Sequence, residues 1–335
     1  MPGPPRPGCT LPQSPTDDTM DTLSFDNGDE MPLFGLGTWK SDPGLVYDAV
    51  QVALEAGYRH VDCAPIYGNE TEVGQALRDA FDNGGVVRDD VWITSKLWND
   101  AHRPEVVRQA LEETLEDLQL ETLDLYLMHW PVALEPGVDM PESPDDLVSL
   151  RKQPLAETWE AMEALKEEGL ARHIGVSNFS LPKLRSLIET ADQPPEMNQI
   201  ELHPYLQQQD LVEYAQVNDV HVTAYSPLGS RDRSSIMKKD DEPILFDHPT
   251  IQEVAEKHDC TVGQVLISWA VHRQTAVIPK STNPGRIKEN LASANVHLDD
   301  ADMDKIASID QQYRFVDGSF WAMEGSPYSL SDLWG

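Results

Sequence analysis

Short apolar runs alternate with amphipathic segments along most of the chain. Eight runs have the length and the branched or aromatic content of buried strands: LFGLGTW (33–39), RHVDCA (59–64), VWITSKL (91–97), LDLYLMHW (123–130), ARHIGVSNF (171–179), EMNQIEL (196–202), HVTAYSPL (221–228) and TAVIPKS (275–281). Between them the spacing turns helical. VRQALEETLEDLQL (107–120) repeats Leu and Val at three and four residues, PLAETWEAMEALKEEG (154–169) opens on Pro and closes on Gly, and LPKLRSLIET (181–190) follows the same plan. Ahead of the first run, LSFDNGDEMPL (23–33) reads as a hairpin turning at Asn27-Gly28. Eight strands that alternate with helices predict an α/β chain folded as a (β/α)8 TIM barrel over 22–335. A doubly wound sheet is the competing reading, but GLGTW (35–39) stops short of the Gly-rich turn such a sheet carries after its first strand. Two long βα loops, 131–153 and 229–247, and an aromatic C-terminal loop from Tyr313 to Gly335 interrupt the alternation and are candidate walls of a site.

Composition narrows the function classes. Of 335 residues, 58 are Asp or Glu and 25 are Lys or Arg, a formal net charge of −33. Nucleic acid and anionic membranes attract basic surfaces, so neither is an expected partner. The acids are dispersed rather than gathered in a tail, the pattern expected of a halophilic protein, whose surface repulsion molar salt screens. A merely acidic mesophilic enzyme is the plainer reading. Three cysteines, Cys9, Cys63 and Cys260, are too few and too scattered for a disulfide frame or a zinc site and suit a reducing, cytoplasmic setting. No run approaches a membrane span. Residues 1–21, rich in Pro, Thr, Ser and Asp and without an apolar core, read as a disordered tail rather than a signal peptide, or as an extension ahead of a start at Met20.

The chemistry sits at the C-terminal ends of the predicted strands, where a barrel gathers its reactive groups. Strand two ends in Asp62 with Tyr67 just beyond, strand three near Lys96, and strand four in His129-Trp130-Pro131. A buried carboxyl needs a cation, and Lys96 is the candidate for Asp62. A lysine ammonium beside a phenol favours the phenolate and is expected to lower its pKa. Tyr67 is then a general acid toward an oxygen that gains negative charge, and His129 a hydrogen-bond donor to a carbonyl. Such a site reduces a carbonyl, with a hydride donor supplied from outside the polypeptide.

Seven segments in register, GYRHVDCAPIYGNE, ITSKLW, LMHWP, IGVSNF, NQIELHP, YSPLGS and IPKSTNPGRIKEN, make the chain resemble the aldo-keto reductases from about Leu23 onward. The resemblance implies a catalytic tetrad of Asp62, Tyr67, Lys96 and His129 and NADPH/NADP+ as the redox cofactor. It assigns Ser177, Asn178 and Gln199 to the nicotinamide carboxamide, and Tyr225 to stacking on its ring. Ser226, Leu228 and Ser230 fall to the pyrophosphate. Lys280, Ser281 and Arg286 fall to the 2′-phosphate, and Glu289 and Asn290 to adenine. Thr38 joins the cofactor set. Asp232 is a loop latch that pairs with Lys40 and Lys280, although Arg231 stands where the family often has proline. Trp39, Trp98, His129 and Trp130 line the substrate pocket.

Substrate is expected to be a small carbonyl compound and the chain a monomer. His60 reads as a packed core residue, and Arg231, Arg233, Lys238 and Lys239 as a solvated loop. Two alternatives remain: a metal-dependent hydrolase built on His60, Asp62, His129 and His203, for which no metal is otherwise expected, and an NADPH-binding regulatory subunit without turnover.

Overall fold

The computed structural model describes residues 21–231, 233, 238–239 and 241–335. Strands β1 (Thr22–Ser24) and β2 (Glu30–Pro32) form the expected antiparallel hairpin. Gly28, at φ 87°, makes the turn, with its N–H on the Phe25 carbonyl at 2.8 Å. Eight parallel strands follow, at each of the eight expected runs: β3 (Leu36–Gly37), β4 (His60–Asp62), β5 (Trp92–Leu97), β6 (Leu123–Met128), β9 (Ala171–Ser177), β10 (Met197–Glu201), β11 (His221–Tyr225) and β12 (Ala276–Val277). The missing numbers are a small antiparallel pair, β7 (Ala133–Leu134) with β8 (Leu147–Val148), inside the first long loop. Consecutive barrel strands pair side by side, and bridges Phe34–Val277 and Gly37–Lys280 join the last strand to the first. The result is a closed (β/α)8 barrel.

The outer ring is α1 (Val46–Ala56), α2 (Glu70–Asp82), α3 (Pro104–Leu118), α4 (Leu155–Glu167), α5 (Leu181–Thr190), α6 (Gln209–Val217), α7 (Pro249–Lys257), α8 (Val262–His272), α9 (Pro284–Leu291) and α10 (Asp300–Ala307), with a short α11 (Leu330–Trp334) in the tail. Strand β11 is followed by two helices, one more than strict alternation predicts; α7 begins at Pro249 and is capped by His248, whose Nδ1 accepts from the Thr250 N–H at 3.2 Å. The first and last strands are shorter than their apolar runs. Pro279 has no N–H to give, so the ladder thins at that seam.

The glycines of GLGTW have a packing reason. A Cβ on Gly35 would lie 2.7 Å from His60 Nδ1, and one on Gly37 would lie 2.7 Å from the Ile278 carbonyl oxygen. Both positions must be bare for the first strand to close on the last. His60 is packed beneath them, its ring nitrogens facing the Pro32 carbonyl at 3.1 Å and the Thr94 hydroxyl at 3.4 Å.

The hairpin plugs the N-terminal end of the barrel. Phe25 packs on Trp92, His173 and His221 with ring centroids 5.1, 4.0 and 4.7 Å apart, all three at or near strand starts. Asp29 accepts from Arg172 at 2.6 Å and faces His173 Nε2 at 2.9 Å, while His173 Nδ1 faces Glu196 at 2.9 Å. One end of the barrel is thereby closed, and the other is left for chemistry. Gly37→Ala should lower the unfolding free energy by about 1–3 kcal/mol, because the added methyl must displace the Ile278 backbone at the seam; a urea unfolding curve unchanged within error would contradict this account of closure.

Candidate active site

Strand β4 delivers Asp62 and β5 delivers Lys96 to the open end. Their side chains are buried, at 2 % and 0 % exposure, and Lys96 Nζ donates to Asp62 Oδ1 at 2.6 Å and to the Cys63 carbonyl at 2.8 Å. The second carboxylate oxygen of Asp62 accepts from Gln199 Nε2, across the barrel on β10, at 2.7 Å. The ammonium also lies 3.3 Å from the Tyr67 hydroxyl, which a 3-10 turn (Pro65–Tyr67) swings back over the strand ends. His129, just past β6, presents its ring edge-to-face to Tyr67 at 5.9 Å and to Trp98 at 5.0 Å. Four titratable groups read from three separate sequence segments are thus in one place.

Their protonation differs from expectation at one residue. The Tyr67 phenol is pushed well above its ordinary value by burial first, and then by the nearby Asp62, Cys63 and Glu70. The ammonium does not depress it, because loss of hydration for the phenolate outweighs one favourable contact. Tyr67 therefore carries its proton throughout the neutral range. Burial, with Lys96 and His102 adding to it, holds His129 well below the usual histidine value, so the ring is neutral and has one N–H to give.

A cavity of about 910 Å³ opens above these groups. Asp62, Tyr67 and His129 lie on its wall, with Lys96 behind them. Trp39, Trp98 and Trp130 line the same region. Ser177, Asn178, Gln199 and Tyr225 form the adjoining stretch, already bonded together: Tyr225 donates to Asn178 Oδ1 at 2.6 Å, Asn178 Nδ2 donates to the His129 carbonyl at 2.9 Å, and Ser177 donates to the Gln199 carbonyl at 2.8 Å. Ser226, Leu228 and Ser230 line the same cavity, as do Lys280, Ser281, Arg286, Glu289 and Asn290, which lie before and within α9. Thr38 is off the wall; its hydroxyl donates to the Asp62 carbonyl at 2.8 Å. Asp232 lies outside the described residues. Lys40 crosses to the other rim and donates to Ser230 at 3.0 Å. Lys40, Asn178, Ser226 and Ser230 all have positive φ, between 44° and 64°, so unusual backbone gathers at this rim.

Several lining residues were not singled out in the sequence. Ile66, Met140, Val316 and Phe320 complete the apolar end of the cavity. Three of the four lie in the long first loop or the tail, where no periodicity marks which side chains turn inward. Arg233 is a correction. It is buried, not solvated, with its guanidinium over the Phe315 ring at 5.2 Å and paired with Glu242. Lys239 reaches Asp317 at 2.7 Å. Among the described residues no group of three or more His, Cys, Asp or Glu side chains gathers as a metal site would require; His203 Nε2 is spent on Glu201 at 2.8 Å. No described helix is long and apolar enough to cross a membrane.

A model of the Aldo/keto reductase family matches residues 33–311. An aldo/keto reductase of Synechocystis sp. (slr0942) is 51 % identical over 316 residues, covering 94 % of this chain and 97 % of that protein. Aldo-keto reductase family 1 member A1 of Mus musculus is 43 % identical over 300 residues, covering 89 % and 92 %. The solved structure of the aldose reductase from Schistosoma japonicum superposes with a TM-score of 0.81 at 40 % identity, covering 89 % of this chain and 97 % of that one. The chain belongs to the aldo/keto reductase family, and so to the oxidoreductases that act on small carbonyl compounds with a nicotinamide cofactor. Its donor set suits that cofactor: amides and an aromatic ring beside the polar quartet, and bases around a helix start for anionic groups.

Burial also sets the pH response of the fold. His60 is pushed down to about 4 and His102 to about 3, and His129 lies well below 6.5. Between pH 6.5 and about 4 the unfolded chain binds protons at these sites that the folded chain does not, so stability falls as pH falls. The slope is up to about 1.4 kcal/mol per pH unit for each histidine. Glu70, raised to about 7 chiefly by burial, works in the opposite direction: the folded chain keeps a proton there that the unfolded chain loses above about 4.5. Three histidines outweigh one carboxyl, so urea titrations should show stability declining from pH 6.5 to 4. A flat or rising curve would contradict the neutral, buried imidazoles.

Proposed function

We propose that this chain is an NADPH-dependent reductase of aldehydes or ketones that uses an Asp62, Tyr67, Lys96 and His129 tetrad and also runs in the reverse, alcohol-oxidising direction. The observation that carries the reading is the chain of contacts from Asp62 through Lys96 Nζ to the Tyr67 hydroxyl, at 2.6 and 3.3 Å, on the wall of a cavity that Lys280 and Arg286 also line. When bound, the nicotinamide cofactor supplies the hydride. The protein supplies the proton and the orientation. A carbonyl oxygen placed between Tyr67 and His129 receives an N–H bond from the neutral imidazole. As negative charge grows on that oxygen, Tyr67 gives up its proton, and the ammonium of Lys96 stabilises the phenolate that results. Asp62 and Gln199 keep that ammonium in place, and reprotonation of Tyr67 resets the site. Lowering the barrier by charge that is already organised spares solvent reorganisation at the moment of transfer.

Ser177, Asn178, Gln199 and Tyr225 would hold the nicotinamide, with Ser226, Leu228, Ser230 and Asp232 along the pyrophosphate. Lys280, Ser281 and Arg286 would hold the 2′-phosphate, and Glu289 and Asn290 the adenine. Two bases at a helix start, in a chain of net charge −33, favour the cofactor with the additional 2′-phosphate, NADPH, over NADH. Trp39, Trp98 and Trp130 would receive the apolar part of the substrate. The enzyme would act as a monomer in the cytoplasm of a salt-rich cell, where a Debye length of about 3 Å at 1 M screens its surface repulsion.

The test is consumption of NADPH and of NADH with a panel of aldehydes, ketones and sugars at low and at molar KCl, with Tyr67→Phe in parallel. Turnover should prefer NADPH and rise with KCl. Tyr67→Phe should lose about 10²- to 10⁴-fold while binding NADPH within twofold of the parent. Tyr67→Phe turning over like the parent would remove the proposed proton donor; highest activity without salt would remove the halophilic reading; NADPH bound but never consumed would favour a regulatory subunit.

A further inference from the structure

Glu201, the last residue of β10, is wholly buried and is spent on groups far along the chain. Oε1 accepts the backbone N–H of Phe315 at 2.6 Å, Oε2 accepts that of Val316 at 2.7 Å, and His203 Nε2 faces Oε1 at 2.8 Å. A carboxylate has two acceptor atoms, and here consecutive backbone N–H groups take one each. Burial alone would raise the Glu201 carboxyl, but the bond from His203, its charge and that of Arg314, and the Phe315 N–H together hold it below its ordinary value, so it stays ionised.

What this carboxylate grips is the substrate-side wall. The tail first docks through Gln311 and Tyr313, whose N–H groups reach the Tyr205 carbonyl at 3.2 and 2.9 Å. It then passes Glu201 and turns into the cavity, where Val316 and Phe320 form lining. Trp321 follows, packed on Trp98 and Trp130 at 6.0 and 5.8 Å. Along the backbone, Glu201 pairs with Tyr225 in the β10–β11 register. We propose that Glu201 is a positioning residue that pins the Phe315–Val316 backbone and so places Val316 and Phe320 against the carbonyl site, governing affinity for bulky substrates and not the chemical step. This rests on the reductase reading for its kinetic consequence, but not for its structural one.

Glu201→Gln keeps the shape and removes one acceptor, turning an amide NH2 toward a backbone N–H. The expected result is a KM for a bulky aromatic aldehyde raised about tenfold, with KM for a short-chain aldehyde, kcat and NADPH affinity each within about threefold, since these do not reach the wall. Equal changes in KM for both aldehydes would overturn the proposal. Hydrogen exchange on the NADPH-loaded parent decides it without any variant: the amides of Phe315 and Val316 should be protected like those of β10, and exchange as fast as an exposed loop would overturn it. If the parent turns over no aldehyde, the reductase reading fails while the exchange result still decides the anchor.

Discussion

The Asp62–Lys96 pair at 2.6 Å is the contact on which the rest of the site depends. Neither charge is tolerable alone where both are buried, because an unpaired ion in that setting costs several kcal/mol. The pair therefore requires β4 and β5 to be neighbours in one register, with Asp62 opposite Thr94 and Lys96 two residues further along. It requires Gln199 to arrive from the opposite side of the barrel to occupy the second carboxylate oxygen. Only a closed sheet brings β4 and β10 face to face in this way. Closure in turn rests on the bare backbone of Gly35 and Gly37 at the seam. Fold and chemistry are thus joined through one ion pair: the barrel places the charges, and the charges fix where the phenol of Tyr67 must stand.

Polarity is divided between the two ends of the barrel. The N-terminal end is sealed by the hairpin, with Phe25 among rings and Asp29 against Arg172 and His173. The C-terminal end is walled by loops that also touch one another. Tyr328 joins the tail to the first loop through the Ala133 N–H and the Val148 carbonyl, at 2.9 and 2.5 Å. Arg233 and Lys239 join the second loop to the tail through Phe315 and Asp317. The walls of the C-terminal end are therefore one mutually braced assembly, and a change in one loop is expected to be felt in the others.

The strands were legible because each is a short apolar run, and their C-terminal polar residues stood out against that background. Asp62, Lys96 and His129 could be read as one site before any geometry, since a buried acid and a buried base demand each other. What was not legible has identifiable physical causes. The tail carries no period, and it is held in part by backbone N–H groups on Glu201, a bond that leaves no mark on the tail's own side chains. Arg233 looked like a solvated charge because burial beneath an aromatic ring 82 residues away is not a local property. The Tyr67 phenol rises where the sequence predicts a fall, because the sequence shows the ammonium beside it but not the depth of burial. The extra helix before β12 followed a Pro-initiated cap that the alternation of strands and helices hides.

The most direct test of the account is NADPH consumption by Lys96→Met with an aldehyde the parent reduces, after circular dichroism and NADPH binding have established that the variant is folded and loaded. With the ammonium gone, the phenolate proposed for Tyr67 would lose its stabilising charge. The account predicts a loss of about a thousandfold in turnover, with the cofactor still bound. Turnover within tenfold of the parent in a folded, NADPH-bound variant would show that the buried pair is structural alone, and would contradict the account.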